Sequence, residues 1–121
     1  MIGKGSYVRS CDNSGAKIVK CIHIYKGKNK LVQLGDILLV VVKTFRTKKK
    51  VKKGDIRKAV LVRKKQNSIR TSGLVFKFRR NLVILIDKNH NMLGNRFKGP
   101  VPLELRFKKF MKIVSIAPFV V

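Results

Sequence analysis

The chain has 121 residues, of which 30 are Lys or Arg and only 5 are Asp or Glu, so its formal net charge at pH 7 is +25. Charge of this density destabilises a compact chain unless a polyanion neutralises it, and nucleic acid is the commonest partner of so basic a domain, although acidic proteins stay open. No stretch reaches the apolar length of a membrane-spanning helix, so no membrane partner is expected. With 45% hydrophobic residues, the composition predicts one folded domain over residues 1–121 inside a cationic shell.

The first part of the chain alternates short strands with tight turns. Residues 7–11 and 16–25 show the apolar–polar alternation of half-exposed strands. Between them, the sequence Asp-Asn-Ser-Gly at 12–15 predicts a tight turn, because Asp and Asn side chains bond nearby backbone and Gly accepts a positive φ. Residues 26–30 predict a second, cationic turn.

A long β-hairpin is predicted over residues 35–65. The apolar run at 37–42 indicates a strand buried on both faces, and a second run follows at 56–62. Gly35-Asp36 and Gly54-Asp55 predict a turn just before each strand. The basic tip between the strands is either a solvated loop or, as the net charge favours, a site that a polyanion neutralises.

The remaining segments complete a mainly β chain. Residues 74–78 and 82–86 are further strand candidates, and five or six short strands separated by turns indicate a small β-barrel or sandwich. Apolar spacing over 103–111 indicates a helix of one or two turns, and Pro118 limits any later helix. The residues expected to line the interior are Ile37, Leu39, Val41, Val60, Val62, Val83 and Leu85.

Groups suited to catalysis or metal binding are sparse in the sequence. Cys11 and Cys21 lack the spacing of a zinc site, and His23 and His90 stand alone. The carboxylates fall mostly in turns, and there is no phosphate-binding glycine loop or nucleophile in a recognisable setting. The sequence therefore predicts no enzymatic activity, no metal and no cofactor.

Two kinds of RNA-binding protein fit these observations: a permanent component of an RNA particle, and a free single-strand binder of the OB or cold-shock type. The second needs exposed aromatic residues interleaved with basic ones, and Phe76-Lys77-Phe78 is the one such pattern in the sequence. We therefore expect the cations to contact phosphates and not bases. The predicted contacts are Arg46, Lys48, Lys49, Lys50, Lys52, Lys53, Arg63, Lys64, Arg70, Arg79 and Arg80.

Several segments, taken together and in order, resemble a known family. They are 12–16 (DNSGA), 35–37 (GDI), 51–55 (VKKGD), 58–63 (KAVLVR), 99–101 (GPV), 104–106 (ELR) and 110–118 (FMKIVSIAP). Each segment alone is common, but the ordered set is similar to the bacterial-type ribosomal protein L-fourteen family over essentially the whole chain.

The resemblance implies a small closed five-stranded β-barrel over about residues 1–101, with a projecting basic β-hairpin, followed by short C-terminal helices over about 102–121. It also implies a structural constituent of the large ribosomal subunit that binds large-subunit rRNA. The implied partners are ribosomal proteins L-nineteen and L-three, small-subunit rRNA across the subunit interface, and a ribosome-silencing factor. The surface for that factor corresponds to Asn95, Arg96, Lys112 and Ser115, where Asn95 replaces the family's usual threonine.

Other departures from the family pattern raise the positive charge. Lys48–Lys50 replaces a less charged tip, Arg79-Arg80 stands where many members carry Asp, and Phe119 replaces a usual glutamate. Abundant Lys, Ile, Asn and Phe also suit an AT-rich organellar genome. Since residues 1–6 show no secretory or transit signal, the hypothesis is an organelle-encoded protein of the mitochondrial ribosome, in the matrix, with a plastid or the bacterial cytoplasm as alternatives.

Overall fold

The computed structural model describes residues 2–25, 32–45, 51–89, 91–107 and 110–121. Its strands and helices, in chain order, are β1 (Tyr7–Ser10), β2 (Ala16–Ile24), β3 (Ile37–Phe45), β4 (Ile56–Arg63), β5 (Ser68–Ile69), β6 (Val75–Phe76), β7 (Leu82–Ile86), β8 (Pro100–Val101), α1 (Glu104–Phe107), α2 (Met111–Ile116) and β9 (Phe119–Val120).

The strands β1, β2, β3, β4 and β7 form a closed barrel in that order. Neighbours from β1 to β7 pair antiparallel, and a parallel pair closes the ring, with Arg9 opposite Leu82 and Ser10 opposite Val83. Closure leaves no free strand edge in the barrel itself. The mainly β class, the closed five-stranded barrel and the short C-terminal helices are therefore confirmed.

The barrel interior is filled by aliphatic side chains from every strand. Period-two alternation along each strand sends every second residue inward, and the inward residues are almost completely buried. The strand residues of this inner core are Val8, Ala16, Val19, Cys21, Leu38, Val40, Val42, Ala59, Leu61, Val83 and Leu85.

A second core lies outside the barrel wall, between strands β4 and β7 and the C-terminal segment. The outward side chains of these two strands pack against apolar residues of the later loops and helices, so both strands are buried on both faces. This outer core consists of Val60, Val62, Ile84, Ile86, Phe97, Val101, Leu105, Phe110, Ile113 and Val114.

The prediction of the interior residues was right for β7 and wrong for β3 and β4. Val83 and Leu85 line the barrel, but Val60 and Val62 belong to the outer core. In β3 the buried residues are Leu38, Val40 and Val42, while Ile37, Leu39 and Val41 are only partly buried on the opposite face. The strand predicted to be buried on both faces is thus fully buried on one face only.

Both Gly-Asp turns form as predicted, and they share one geometry. Gly35 and Gly54 have φ values of 84° and 87°, which favour glycine. In each turn the aspartate accepts a hydrogen bond from a backbone N–H three residues earlier, Gln33 to Asp36 at 2.7 Å and Lys52 to Asp55 at 2.9 Å. The stem of the predicted hairpin pairs from Ile37 opposite Val60 to Val41 opposite Ile56, whereas the tip at 46–50 lies outside the described residues.

The C-terminal segment forms two short helices, as the family resemblance implied. After α2 the chain passes Pro118 and pairs parallel with β8, placing Phe119 opposite Pro100 and Val120 opposite Val101. Buried Leu105 and Ile113 anchor α1 and α2 on the barrel wall. Within the described ranges, no helix is both long enough and apolar enough to cross a bilayer.

Candidate nucleic-acid interface

The predicted phosphate-contact residues fall into distinct structural settings. Lys52 and Lys53 lie exposed in the turn before β4, and Arg79 and Arg80 lie exposed before β7. These four side chains are free to meet a polyanion. The remaining predicted residues of the tip, Arg46, Lys48, Lys49 and Lys50, lie outside the described residues.

Arg63 is engaged inside the protein. Its Nε donates to the carbonyl oxygen of Pro100 at 2.8 Å, and its Nη2 donates to the carbonyl oxygen of Lys98. The loop wraps closely around the guanidinium: a Cβ added at Gly99, where φ is 89°, would lie 2.8 Å from Nη1 of Arg63. Arg63 therefore fixes the 98–100 loop to the end of β4.

Lys64 is buried, with only 5% of its surface exposed. Its Nζ donates to Oε1 of Gln33 at 3.0 Å. A buried ammonium group needs such partners, because its desolvation is costly. Lys64 thus ties the end of β4 to the segment that precedes β3.

Arg70 links three separate segments. Its Nε donates to Oε1 of Glu104 at 2.8 Å, and its Nη2 donates to the carbonyl oxygen of Val121. The guanidinium carbon also lies 4.5 Å from the ring centroid of Phe76. Phe76 contacts Phe78 edge to face at 5.9 Å, so the aromatic pair of the Phe76-Lys77-Phe78 pattern is packed within the protein and half-buried.

Two exposed tyrosines, each with a lysine close to its ring, were not predicted from the sequence. Tyr7 is 64% exposed and Tyr25 is 51% exposed. Nζ of Lys20, the cross-strand partner of Tyr7, lies 5.8 Å from the Tyr7 ring centroid, and Nζ of Lys58 lies 5.4 Å from that of Tyr25. For Tyr7 the available signal was the pairing of β1 with β2, whereas Tyr25 follows β2 and Lys58 lies on β4, so no local signal connects them.

The predicted Asp-Asn-Ser-Gly turn is a hub that joins β1 to distant segments. Oδ1 of Asp12 accepts from the hydroxyls of Ser10 at 2.6 Å and Ser14 at 2.8 Å, and Oδ2 accepts from the Leu85 N–H at 3.2 Å. Burial raises the pKa of Asp12 above its usual value, although these hydrogen bonds act in the opposite direction.

The neighbouring Asn13 holds the segment that carries Asn95 and Arg96. Its Oδ1 accepts from the backbone N–H groups of Asn95 at 2.9 Å and Arg96 at 3.2 Å, and its Nδ2 donates to Oδ1 of Asn95. Gly94 permits this approach, since an added Cβ there would lie 2.9 Å from the backbone nitrogen of Ser14. Asn95 and Arg96 are both exposed.

Lys112 and Ser115 lie three residues apart on α2 and are both exposed. The Ser115 hydroxyl donates to the carbonyl oxygen of Lys112 at 2.9 Å. Phe97 packs in the same outer core as Ile113 and Val114. Phe97, which follows Arg96 in sequence, thus shares the outer core with the helix that carries Lys112 and Ser115.

An open groove of about 1020 Å³ lies between β1, β2 and the 96–98 segment. Its lining includes the apolar side chains of Ile18, Leu82 and Phe97. Exposed basic side chains also line it, and we call the whole site the cationic groove. They are Arg9, Lys17, Arg80, Arg96 and Lys98.

The cysteines are placed as small core residues and not as ligands. Cys21 is fully buried in the inner core, and burial raises the pKa of the Cys11 thiol to about 12. In the part of the chain that the structure describes, no three His, Cys, Asp or Glu side chains are grouped so that they could hold a metal ion.

The family comparison agrees with this architecture. The model of the family described as Ribosomal protein L14p/L23e matches residues 1–121, which is the entire chain. A match of this extent includes both cores, the Gly-Asp turns and the C-terminal helices, not a single motif. Membership implies a structural protein of the ribosome's large subunit, in a family that is generally non-enzymatic. The chain therefore belongs to the ribosomal protein L14p/L23e family.

Proposed function

We propose that this protein is a non-catalytic subunit that binds large-subunit rRNA mainly through phosphates and contributes to the subunit interface. One observation supports this more than any other: all 5 carboxylates accept internal hydrogen bonds. Asp12 bonds the β1 hub, Asp36 and Asp55 close turns, and Glu104 bonds Arg70. Asp87 accepts from the backbone N–H groups of Asn89 and Asn91 at 2.9 and 3.0 Å.

The net charge of +25 already counts these five acids, so the side chains hold no further negative charge to neutralise it. In the described part of the hairpin, the ion pair of Arg57 with Asp55 at 3.9 Å is loose and partly exposed. An external polyanion would relieve this repulsion. The phosphates of a folded RNA supply that charge at the required density.

The proposed direct phosphate contacts are the exposed cations Lys52, Lys53, Arg79 and Arg80, together with the basic tip at 46–50. For Arg63, Lys64 and Arg70 we propose an indirect role. Their charged groups hold loops and the C-terminus in place, so they shape the surface that the other cations present.

The test of rRNA binding is a salt series with purified protein and large-subunit rRNA fragments. Log Kd should rise linearly with log salt, because every neutralised phosphate releases counterions. The protein should also co-sediment with large subunits and stay bound at moderate salt. A flat salt dependence, or loss from the subunit on simple dilution, would contradict the proposal.

We further propose that Asn95, Arg96, Lys112 and Ser115 form a docking surface for an acidic partner such as a ribosome-silencing factor. Exposed Arg96 and Lys112 would steer a negatively charged surface. Lys112→Glu should weaken binding of the factor and leave assembly of the large subunit intact. Normal binding by this variant, or its failure to enter the subunit, would argue against the assignment.

The remaining partners follow the family resemblance, whereas the location follows the amino-acid composition. We propose L-nineteen and L-three as protein neighbours, small-subunit rRNA as a partner across the interface, and the mitochondrial matrix as the location, with a plastid or the bacterial cytoplasm as alternatives. Cross-linking of assembled ribosomes tests the neighbours. Fractionation of mitochondria, plastids and cytosol, followed by detection of the protein in the ribosomal pellet, tests the location.

A free single-stranded RNA-binding barrel is the second candidate, and the two exposed tyrosines favour it. Tyr7 and Tyr25 are the exposed aromatics that such a protein uses for base stacking, although Lys20 and Lys58 lie over these rings. Under this alternative, Tyr7→Ala and Tyr25→Ala should abolish binding to unstructured oligonucleotides. Under the ribosomal assignment, both variants should keep their affinity for large-subunit rRNA.

A further inference from the structure

We propose that the cationic groove holds one unpaired nucleotide of RNA together with the phosphates on either side of it. The proposal rests on the proposed function, since it assumes that RNA is the partner. It adds a specific site and a preference for a nucleotide that has left the helical stack.

The first support is the distribution of charge around the groove. Arg9 comes from β1, Lys17 from β2, Arg80 from the turn before β7, and Arg96 and Lys98 from the loop before β8. Each of these side chains is exposed. Guanidinium groups match phosphate oxygens with two parallel hydrogen bonds. Cations supplied by four separate segments therefore suit a phosphate backbone that passes through the groove.

The second support is the state of the one acid that lines the groove. Asp12 is turned inward, where both carboxylate oxygens accept hydrogen bonds from Ser10, Ser14 and the Leu85 backbone. Its negative charge is therefore directed away from the cations that line the groove. An acid in that position that pointed into the groove would repel a phosphate.

The third support is the apolar part of the lining. Ile18, the third residue of β2, and Leu82, the first of β7, are half-buried, and Phe97 is 7% exposed. A phosphate backbone gains nothing from apolar side chains, whereas the face of an unstacked base does. The volume of about 1020 Å³ lies at the upper end of sites that enclose small ligands, so it accommodates a nucleotide and its neighbours.

The polar groups of the groove indicate how selective this site is. The side-chain oxygen of Asn13 accepts from two backbone N–H groups, its Nδ2 donates to Asn95, and Ser10 donates to Asp12. These internal bonds limit what Asn13 and Ser10 can offer to the edge of a base. We therefore expect the site to tolerate any base and to recognise phosphate spacing and an unstacked ring.

An acidic peptide would neutralise the cations of the groove but would not cover its apolar side chains. A carboxylate-rich chain brings charge without a flat apolar face, and its side chains would leave Ile18 and Leu82 uncovered. RNA matches both features of the groove, so the observations favour RNA over an acidic protein.

The test uses the full-length protein and two RNA hairpins that differ only in one bulged uridine. The groove variant is Arg9→Ala with Lys17→Ala. Its matched control is Lys4→Ala with Lys88→Ala, which removes the same charge from exposed positions outside the groove. Thermal melts confirm that both double variants are folded, and fluorescence anisotropy over a salt series gives Kd.

We expect wild type and the control variant to prefer the bulged hairpin by about tenfold. The groove variant should bind the two hairpins equally, and its log–log salt slope should fall by about 1.5 to 2 relative to wild type. Arg80→Ala with Lys98→Ala, which removes two other cations of the groove, should reproduce this loss. A replacement of the bulged uridine by another base should change little.

Three outcomes would overturn the proposal. The hairpins could bind wild type equally, the groove and control variants could lose the same affinity, or the groove variant could lose binding to a poly-glutamate peptide while it keeps its preference for bulged RNA. The last result would make the groove a protein site. If wild type instead shows no salt-dependent binding to any rRNA fragment, the proposed function itself fails.

Discussion

Asn13 and Arg96 bond each other's segments across 83 residues of sequence. The Arg96 N–H donates to Oδ1 of Asn13 at 3.2 Å, and the Asn13 N–H donates to the carbonyl oxygen of Arg96 at 3.1 Å. The turn between β1 and β2 thereby fixes the loop that contributes Arg96 and Lys98 to the cationic groove. The position of Arg96 is thus set by the hub and not by its own neighbours in sequence.

This relationship predicts that Gly94 tolerates no side chain. An added Cβ would meet Oδ1 of Asn13 and lie 2.9 Å from the Ser14 nitrogen. Gly94→Ala should lower the free energy of unfolding by about 1–3 kcal/mol, the usual effect of overpacking. Gly3→Ala is the control, because nothing lies within 4 Å of its added Cβ. Urea unfolding of both variants measures the difference, and equal stabilities would contradict it.

The difference in burial predicts losses of stability of different size at two adjacent leucines of β3. Leu38 is fully buried inside the barrel, while Leu39 is only partly buried on the outer face. Leu38→Ala should destabilise the protein by about 2–5 kcal/mol, and Leu39→Ala by less than about 2 kcal/mol. Chemical denaturation checks the pair. A larger loss at Leu39 would show that the register of β3 is wrong.

Arg63 and Arg79 should separate stability from binding. Arg63→Ala leaves the carbonyl oxygens of Pro100 and Lys98 without their donor, so it should destabilise the free protein by about 1–3 kcal/mol. Arg79→Ala, at an exposed position, should change stability by less than about 0.5 kcal/mol and reduce affinity for rRNA. Melting and RNA binding are measured on the same samples, and a reversed pattern would refute the division.

The buried carboxyl group of Asp12 should make the free energy of unfolding depend on pH. Burial raises the pKa of this carboxyl above its usual value of 3.8, so the folded protein binds the proton more tightly than the unfolded chain does. The resulting stabilisation is complete below 3.8 and is lost as pH rises through the folded pKa. The free energy of unfolding of wild type, measured relative to Asp12→Asn, should therefore fall with rising pH over this window.

Asp12→Asn is a suitable reference, because its amide can donate to both serine hydroxyls while its oxygen still accepts from Leu85. Asp12→Ala has no such replacement, and it should be less stable than Asp12→Asn at every pH. A difference between wild type and Asp12→Asn that grows with pH would show that the hydrogen bonds outweigh burial.

The barrel strands and turns were predictable because they depend on local patterns. Apolar runs marked β3, β4 and β7, and Gly-Asp pairs marked the turns that precede two of these strands. Which residues of β3 and β4 point into the barrel was not predictable. An uninterrupted apolar run carries no period of two, and a shift of one residue exchanges the two faces of a strand.

The interface was predictable in its charge and not in its geometry. Composition indicated a cationic surface, but the hydrogen-bond partners of Arg63 and Arg70 lie 34 to 51 residues away in sequence and form no local motif. Arg9 and Lys17 looked like the polar half of ordinary half-exposed strands. The hydrogen bonds between Asn13 and Arg96, 83 residues apart in sequence, bring Arg96 beside them.

The parallel pair that closes the barrel also has a consequence for the order of folding. Strands β1, β2, β3 and β4 follow one another and can pair as they are synthesised, whereas the outer edge of β1 must wait for β7, because Arg9 pairs with Leu82. Closure of so long a loop is slow, because the entropy cost comes before the contacts form. Until then the outer edges of β1 and β4 are unpaired, so a chain that stops before Leu82 should associate with other chains through those edges.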